Sequence, residues 1–102
     1  LSIKVGLKEI NSFIRALHCP TRWKIIEILA DGAKGTGEIS RELKKDSEDV
    51  SKPSLYYHLS ELEEVGIIGV SNYREVGGGA PEKIWKLKTS QVIIDLIQKE
   101  KR

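Results

Sequence analysis

The chain has 102 residues, enough for one compact domain with a single core and too few for two. Its 39% apolar and 31% charged residues give a soluble balance, and its apolar runs are too short to cross a bilayer. Seventeen basic against 15 acidic side chains leave a net charge of +2, which neither announces nor forbids a nucleic-acid partner, and the single Cys19 excludes an intrachain disulfide or a multi-thiolate metal site.

In chain order, Ile3, Leu7, Ile10, Ile14 and Leu17 recur at intervals of four and three, which predicts one helix over residues 3–17, widened by Phe13. That stripe is more than the end of a small core needs, so part of it is expected to face a partner chain. Pro20 and Thr21 open a second helix, with Thr21 as N-cap, Trp23, Ile25, Ile26 and Leu29 as its buried face, and Asp31-Gly32 as its end. AKGTG (33–37) reads as a connector, with Thr36 capping a third helix whose core contacts are Ile39 and Leu43. KKDSED (44–49) is a polar turn, and Val50 is an apolar plug beneath it.

Ser51 is a good N-cap for a fourth helix, and Pro53 is tolerated in its first turn, where no intrahelical N–H bond is lost. Leu55, Leu59 and Leu62 form its apolar stripe, and Gly66 fits the position that ends it. From residue 67 the period changes to two. Ile68 and Val70, then Trp85 and Leu87, predict a two-stranded hairpin with EVGGGAPE as a long tip. SQVIIDLIQKEKR (90–102) predicts a terminal helix crowded with apolar side chains. No methionine occurs anywhere, so processing at the start is expected, and no leader pattern is seen there.

A short helix, a turn with an apolar plug, a Ser-capped helix, Gly-Ile-Ile and a hairpin form a helix-turn-helix followed by a wing. The chain resembles the winged-helix transcriptional regulators, most closely the ArsR type. The likeness rests on ALHCPTRWKIIEILADG (16–32), GEISREL (37–43), SKPSLYYHLSELEEVGII (51–68) and KIWKLKT (83–89). It implies a mainly α fold: one winged helix-turn-helix domain over residues 1–102, with four helices, a two-stranded β-hairpin wing and a C-terminal helix. It also implies a cytoplasmic, non-enzymatic, homodimeric regulator of double-stranded DNA, in the commoner case a repressor, with the terminal helices forming the dimer interface. Three departures stand out. Six residues rather than a few separate Leu43 from Val50, residues 51–88 carry five basic and five acidic side chains, and the cysteine pair and Asp/His cluster of metal-sensing members are missing.

At about 100° per residue, Leu55, Leu59 and Leu62 face one side of the fourth helix, while Pro53, Tyr57, Ser60 and Glu64 face the other, with Ser54 and Tyr56 on the flanks. The resemblance places helix 51–65 in a major groove and the 74–83 wing on the backbone and minor groove. The candidate DNA-binding residues are Ser51, Lys52, Ser54, Tyr56, Tyr57, Arg74 and Lys83. A Tyr hydroxyl can donate to phosphate or a base edge, its ring can meet a thymine methyl, and Lys52 beside a helix N-terminus favours phosphate. The plainer reading is that the tyrosines cover apolar surface, and for Tyr56 the two stand level. His58 is expected to be partly buried and hydrogen-bonded. Arg41, Lys44 and Lys45 can touch phosphate or simply form a solvated face. GTGE and GGGAPEK lack phosphate-loop spacing, and no catalytic set, metal site or cofactor is implied. Cys19, ahead of a helix, suits either redox sensing or a small half-buried position. The alternative function is a winged-helix protein–protein module that does not bind DNA.

Overall fold

The computed structural model describes residues 1–97, in the order β1 (Ser2–Val5), α1 (Ile10–Leu17), α2 (Pro20–Ala30), β2 (Lys34–Gly35), α3 (Thr36–Lys45), α4 (Lys52–Glu64), β3 (Ile68–Arg74), β4 (Glu82–Leu87) and β5 (Gln91–Ile94). The leucine stripe of α4 lies at the centre: Leu55, Leu59 and Leu62 are all buried, against Ile25 and Leu29 of α2, Ile39 and Leu43 of α3, and Ile67, Ile68 and Trp85 beyond them. Each such leucine contributes about 1.5–3 kcal/mol on leaving water. Three predicted signals of α4 hold. Ser51 caps it, its Oγ accepting from the Ser54 N–H (3.3 Å); Pro53 falls in the first turn; and Gly66 takes the left-handed conformation (φ +84°) after the helix.

The long turn between α3 and α4 is pinned rather than loose. Thr21 Oγ1 donates to Glu48 Oε1 (2.8 Å), the Glu48 N–H donates to the Leu43 carbonyl (2.9 Å), and Val50 packs against the core as the predicted plug.

The predicted two-stranded hairpin forms as β3 and β4, and a third short strand, β2, extends it into an antiparallel sheet in the order β2-β4-β3. The extra strand is part of the AKGTG connector, where Lys34 and Gly35 pair with Trp85 and Ile84. Trp85 fixes this junction, its buried Nε1 donating to Thr36 Oγ1 (2.9 Å). Thr36 is therefore the first residue of α3 and not its cap. Gly35 is the N-cap, and the Glu38 carboxylate accepts from its N–H (2.8 Å). Similarly the N-cap of α2 is Cys19 rather than Thr21, because Pro20 is already the first helical residue and lacks the N–H a first-turn residue would leave unpaired.

The termini correct the sequence reading most. Residues 2–5 form a strand rather than a first helical turn, and residues 91–94, expected to be helical, form another. The two pair in parallel, Ser2 opposite Gln91 through Val5 opposite Ile94. The physical reason is β-branching: Ile3, Val5, Val92, Ile93 and Ile94 are stiff at χ1 and fit a pleated ladder, and each segment satisfies the other's backbone. Residues 98–102 of the expected terminal helix lie outside the described residues. Helix α1 thus begins only at Ile10, and it buries Phe13 and Ala16, while Ile14 of the predicted stripe is exposed. In α2 the roles of two neighbours are exchanged. Trp23 is half exposed, and Arg22 is buried in its place.

Candidate nucleic-acid interface

With its leucines docked, α4 presents Lys52, Ser54, Tyr56, Tyr57 and Ser60 to solvent. Tyr57 is the most open of the aromatic side chains on this helix, at 56% exposure. Ser51 is exposed too, but its hydroxyl already accepts from Ser54 as the cap. Lys52 and Tyr56 share a groove of about 690 Å³ with Ser40 and Arg41 of α3 and with Val76 and Pro81 of the wing loop. The groove brings together the hydroxyls of Thr36 and Ser40, two cations, a phenol and the Glu82 carboxylate. Ser40 was missed at the sequence level, and the i, i+1 pair Ser40-Arg41 on a polar helix gives no signal that would have singled it out.

Tyr57 lies on the other flank. Its ring stacks over the guanidinium of Arg22, 5.3 Å from the ring centroid. Arg22 Nε donates to His58 Nδ1 (2.9 Å), which makes His58 the half-buried, hydrogen-bonded side chain expected of it. Burial pushes the His58 pKa below the ordinary 6.5, the Arg22 charge adds to that, and Glu48 opposes it.

The wing cations are placed differently from each other. Lys83 is exposed, its ammonium 5.6 Å from the centroid of the Trp85 ring. Arg74 ends β3 opposite Glu82, beside the wing loop, but it is not free there: Nη2 bonds both Glu38 Oε1 and Glu82 Oε1 at 3.1 Å. Glu82 Oε2 also accepts from the Gly37 N–H (2.7 Å), so a carboxylate occupies the first turn of α3. The Gly37 N–H first, and Arg74 after it, hold the Glu82 carboxyl below the usual carboxylate range. The Gly35 N–H and then Arg74 do the same for Glu38, and the two carboxylates hold the Arg74 pKa up. Lys52 and Tyr56 are thus brought together, Tyr57 stands apart against Arg22, and Arg74 is engaged by its own chain. Among the described residues no three His, Cys, Asp or Glu side chains group as metal ligands, and no helix is long and apolar enough to cross a membrane.

Comparison with known proteins matches residues 16–70 to the family model described as a helix-turn-helix domain. The chain is 33% identical over 58 residues to the transcriptional repressor SdpR of Bacillus subtilis (strain 168), a match covering 57% of this chain and 59% of that protein. The chain therefore spans about three-fifths of that relative's length. Among solved structures, an ArsR family transcriptional regulator superposes with a TM-score of 0.61 at 22% identity, over 79% of this chain and 77% of that one. The transcriptional repressor BigR from Xylella fastidiosa gives 0.58 at 21% identity, over 78% and 70%. These likenesses carry the winged-helix fold.

Proposed function

Because this chain belongs to the helix-turn-helix domain family, we propose that it is a transcriptional regulator of the ArsR type that binds duplex DNA, most simply as a repressor. The observation that supports this best is the two-sidedness of α4: Leu55, Leu59 and Leu62 fasten it to the core, while Lys52, Ser54, Tyr56 and Tyr57 stand bare on its N-terminal half. That half is the part of a recognition helix that meets base edges. Lys52, Arg41 and Lys83 supply the phosphate contacts, Ser54 and the tyrosines read the groove, and Ser51 serves as the cap. Arg74 reaches phosphate only if it leaves its carboxylates.

A homodimer belongs to the same reading. Ile10, Phe13, Ile14, Leu17, Val92 and Ile94 line an open apolar depression where α1 meets β5. A second copy laid on that face would place two α4 helices on half-sites one DNA turn apart, about 34 Å. Selection of bound fragments from the source genome, followed by a salt titration, tests the proposal. Affinity that falls steeply with salt is expected from counterion release. Failure to retain any duplex, or salt-insensitive capture of a protein partner instead, would replace this reading by that of a protein–protein module.

A further inference from the structure

Arg22 is 5% exposed, an unusual place for a guanidinium, and Nε, Nη1 and one face of the group are engaged. Nη1 donates to the carbonyls of Arg15 (3.0 Å) and Ala16 (3.1 Å), two of the carbonyls left without helical partners at the end of α1. Nε donates to His58 Nδ1 at 2.9 Å, and the guanidinium carbon lies over the Tyr57 ring, 5.3 Å from its centroid. One side chain therefore ties the end of α1 to two consecutive residues of α4, one inside and one outside. The bond to His58 can form only while Nδ1 is bare. An imidazolium carries a proton on both nitrogens and accepts nothing.

We propose that Arg22 is a positioning residue for Tyr57, and that protonation of His58 releases it. This rests on the reading of Tyr57 as a duplex contact. With His58 neutral, Arg22 is held by its hydrogen bonds and its charge lies over the Tyr57 ring, setting that ring for the groove. With His58 charged, two cations face each other at hydrogen-bond distance, the Nε bond is lost, and the platform beneath Tyr57 moves. The charged groups around His58 are few. Arg22 faces it from α2, and Glu48 faces it from the α3–α4 turn, where Thr21 holds the carboxylate. On α4 itself Glu61 lies one turn on, beside Arg15 of α1. Glu48 favours the imidazolium, while Arg22 and burial disfavour it, so the neutral state that orders Tyr57 prevails near neutral pH.

Nuclear magnetic resonance on the intact protein tests this without DNA. Across the His58 titration, the Overhauser contact between the Arg22 side chain and the Tyr57 ring is expected to vanish with the His58 midpoint, and that midpoint is expected below 6.5. His58→Asn keeps an acceptor where Nδ1 stood and cannot titrate, so its Arg22–Tyr57 contact is expected to persist across the same range. Duplex affinity of the native protein is expected to fall about tenfold through that step, the worth of one such bond, and His58→Asn to stay flat. Arg22→Met also strips the end of α1 and can unfold the chain, so the His58 pair decides. A Tyr57–Arg22 contact indifferent to His58 protonation would overturn the proposal. A contact that follows His58 while duplex affinity stays constant would uphold the positioning and overturn Tyr57 as a DNA contact.

Discussion

Tyr57 and Leu59 show how sharply single positions of α4 differ. Tyr57→Ala removes an exposed ring, so it is expected to leave unfolding free energy nearly unchanged while weakening specific duplex binding by about 1–3 kcal/mol. Leu59→Ala opens a hole at a position with no exposure and is expected to cost about 2–5 kcal/mol of stability, read in a urea titration. Ser51→Ala falls between them, losing a cap worth about 1 kcal/mol. His58 adds a pH dependence. Its folded pKa lies below 6.5, so the unfolded chain binds the extra proton first. The neutral-His58 contribution to stability is then complete above pH 6.5 and is lost as pH falls through the window beneath it. Urea midpoints at neutral and mildly acid pH, compared between the native protein and His58→Asn, are expected to show this slope only in the former. The outward tyrosines, the cap and the partly buried histidine were legible because they follow from period and residue type along one helix. The burial of Arg22 was not. A guanidinium flanked by Thr and Trp reads as solvated, and what draws it inside is the carbonyl end of another helix together with a bare imidazole nitrogen 36 residues away.

At the scale of elements, the wing and α3 are joined by charge. Glu38 and Glu82 each accept a backbone N–H at the start of α3 and share Arg74 between them. The cluster carries one net negative charge where the wing would approach a phosphate strand. Glu82→Gln keeps an acceptor for the Gly37 N–H but removes that excess charge and loosens Arg74. Non-specific duplex binding is expected to tighten several-fold, with the salt slope steeper by up to about one unit as Arg74 gains a phosphate. An unchanged slope would leave Arg74 as a structural tie alone. This arrangement was hidden in the sequence, because it joins residues 35–38 to residues 74–82 across a sheet whose third strand is only two residues long. The hairpin itself was legible, since alternation and a glycine-rich tip depend only on neighbours.

For the whole molecule, the apolar excess at both ends was read correctly and its form was not. Helical periodicity in residues 3–17 coincides with β-branching at Ile3 and Val5, and only the partner strand decides between them. The exposed surface that results, with Ile14 on α1 and Ile94 on β5, is where self-association is proposed. Ile14→Glu combined with Ile94→Glu is expected to convert a dimer into a monomer in sedimentation while leaving the helical circular dichroism in place. Loss of half-site cooperativity on a palindromic duplex should accompany it.

The parallel ladder between residues 2–5 and 91–94 has a temporal side. A ribosome must deliver residue 94 before that ladder can close, whereas the three helices around Leu59 and the wing need nothing beyond residue 87. The helical core and the wing thus form on a nascent chain before β5 exists, and the apolar face between α1 and β5, where self-association is proposed, is made last.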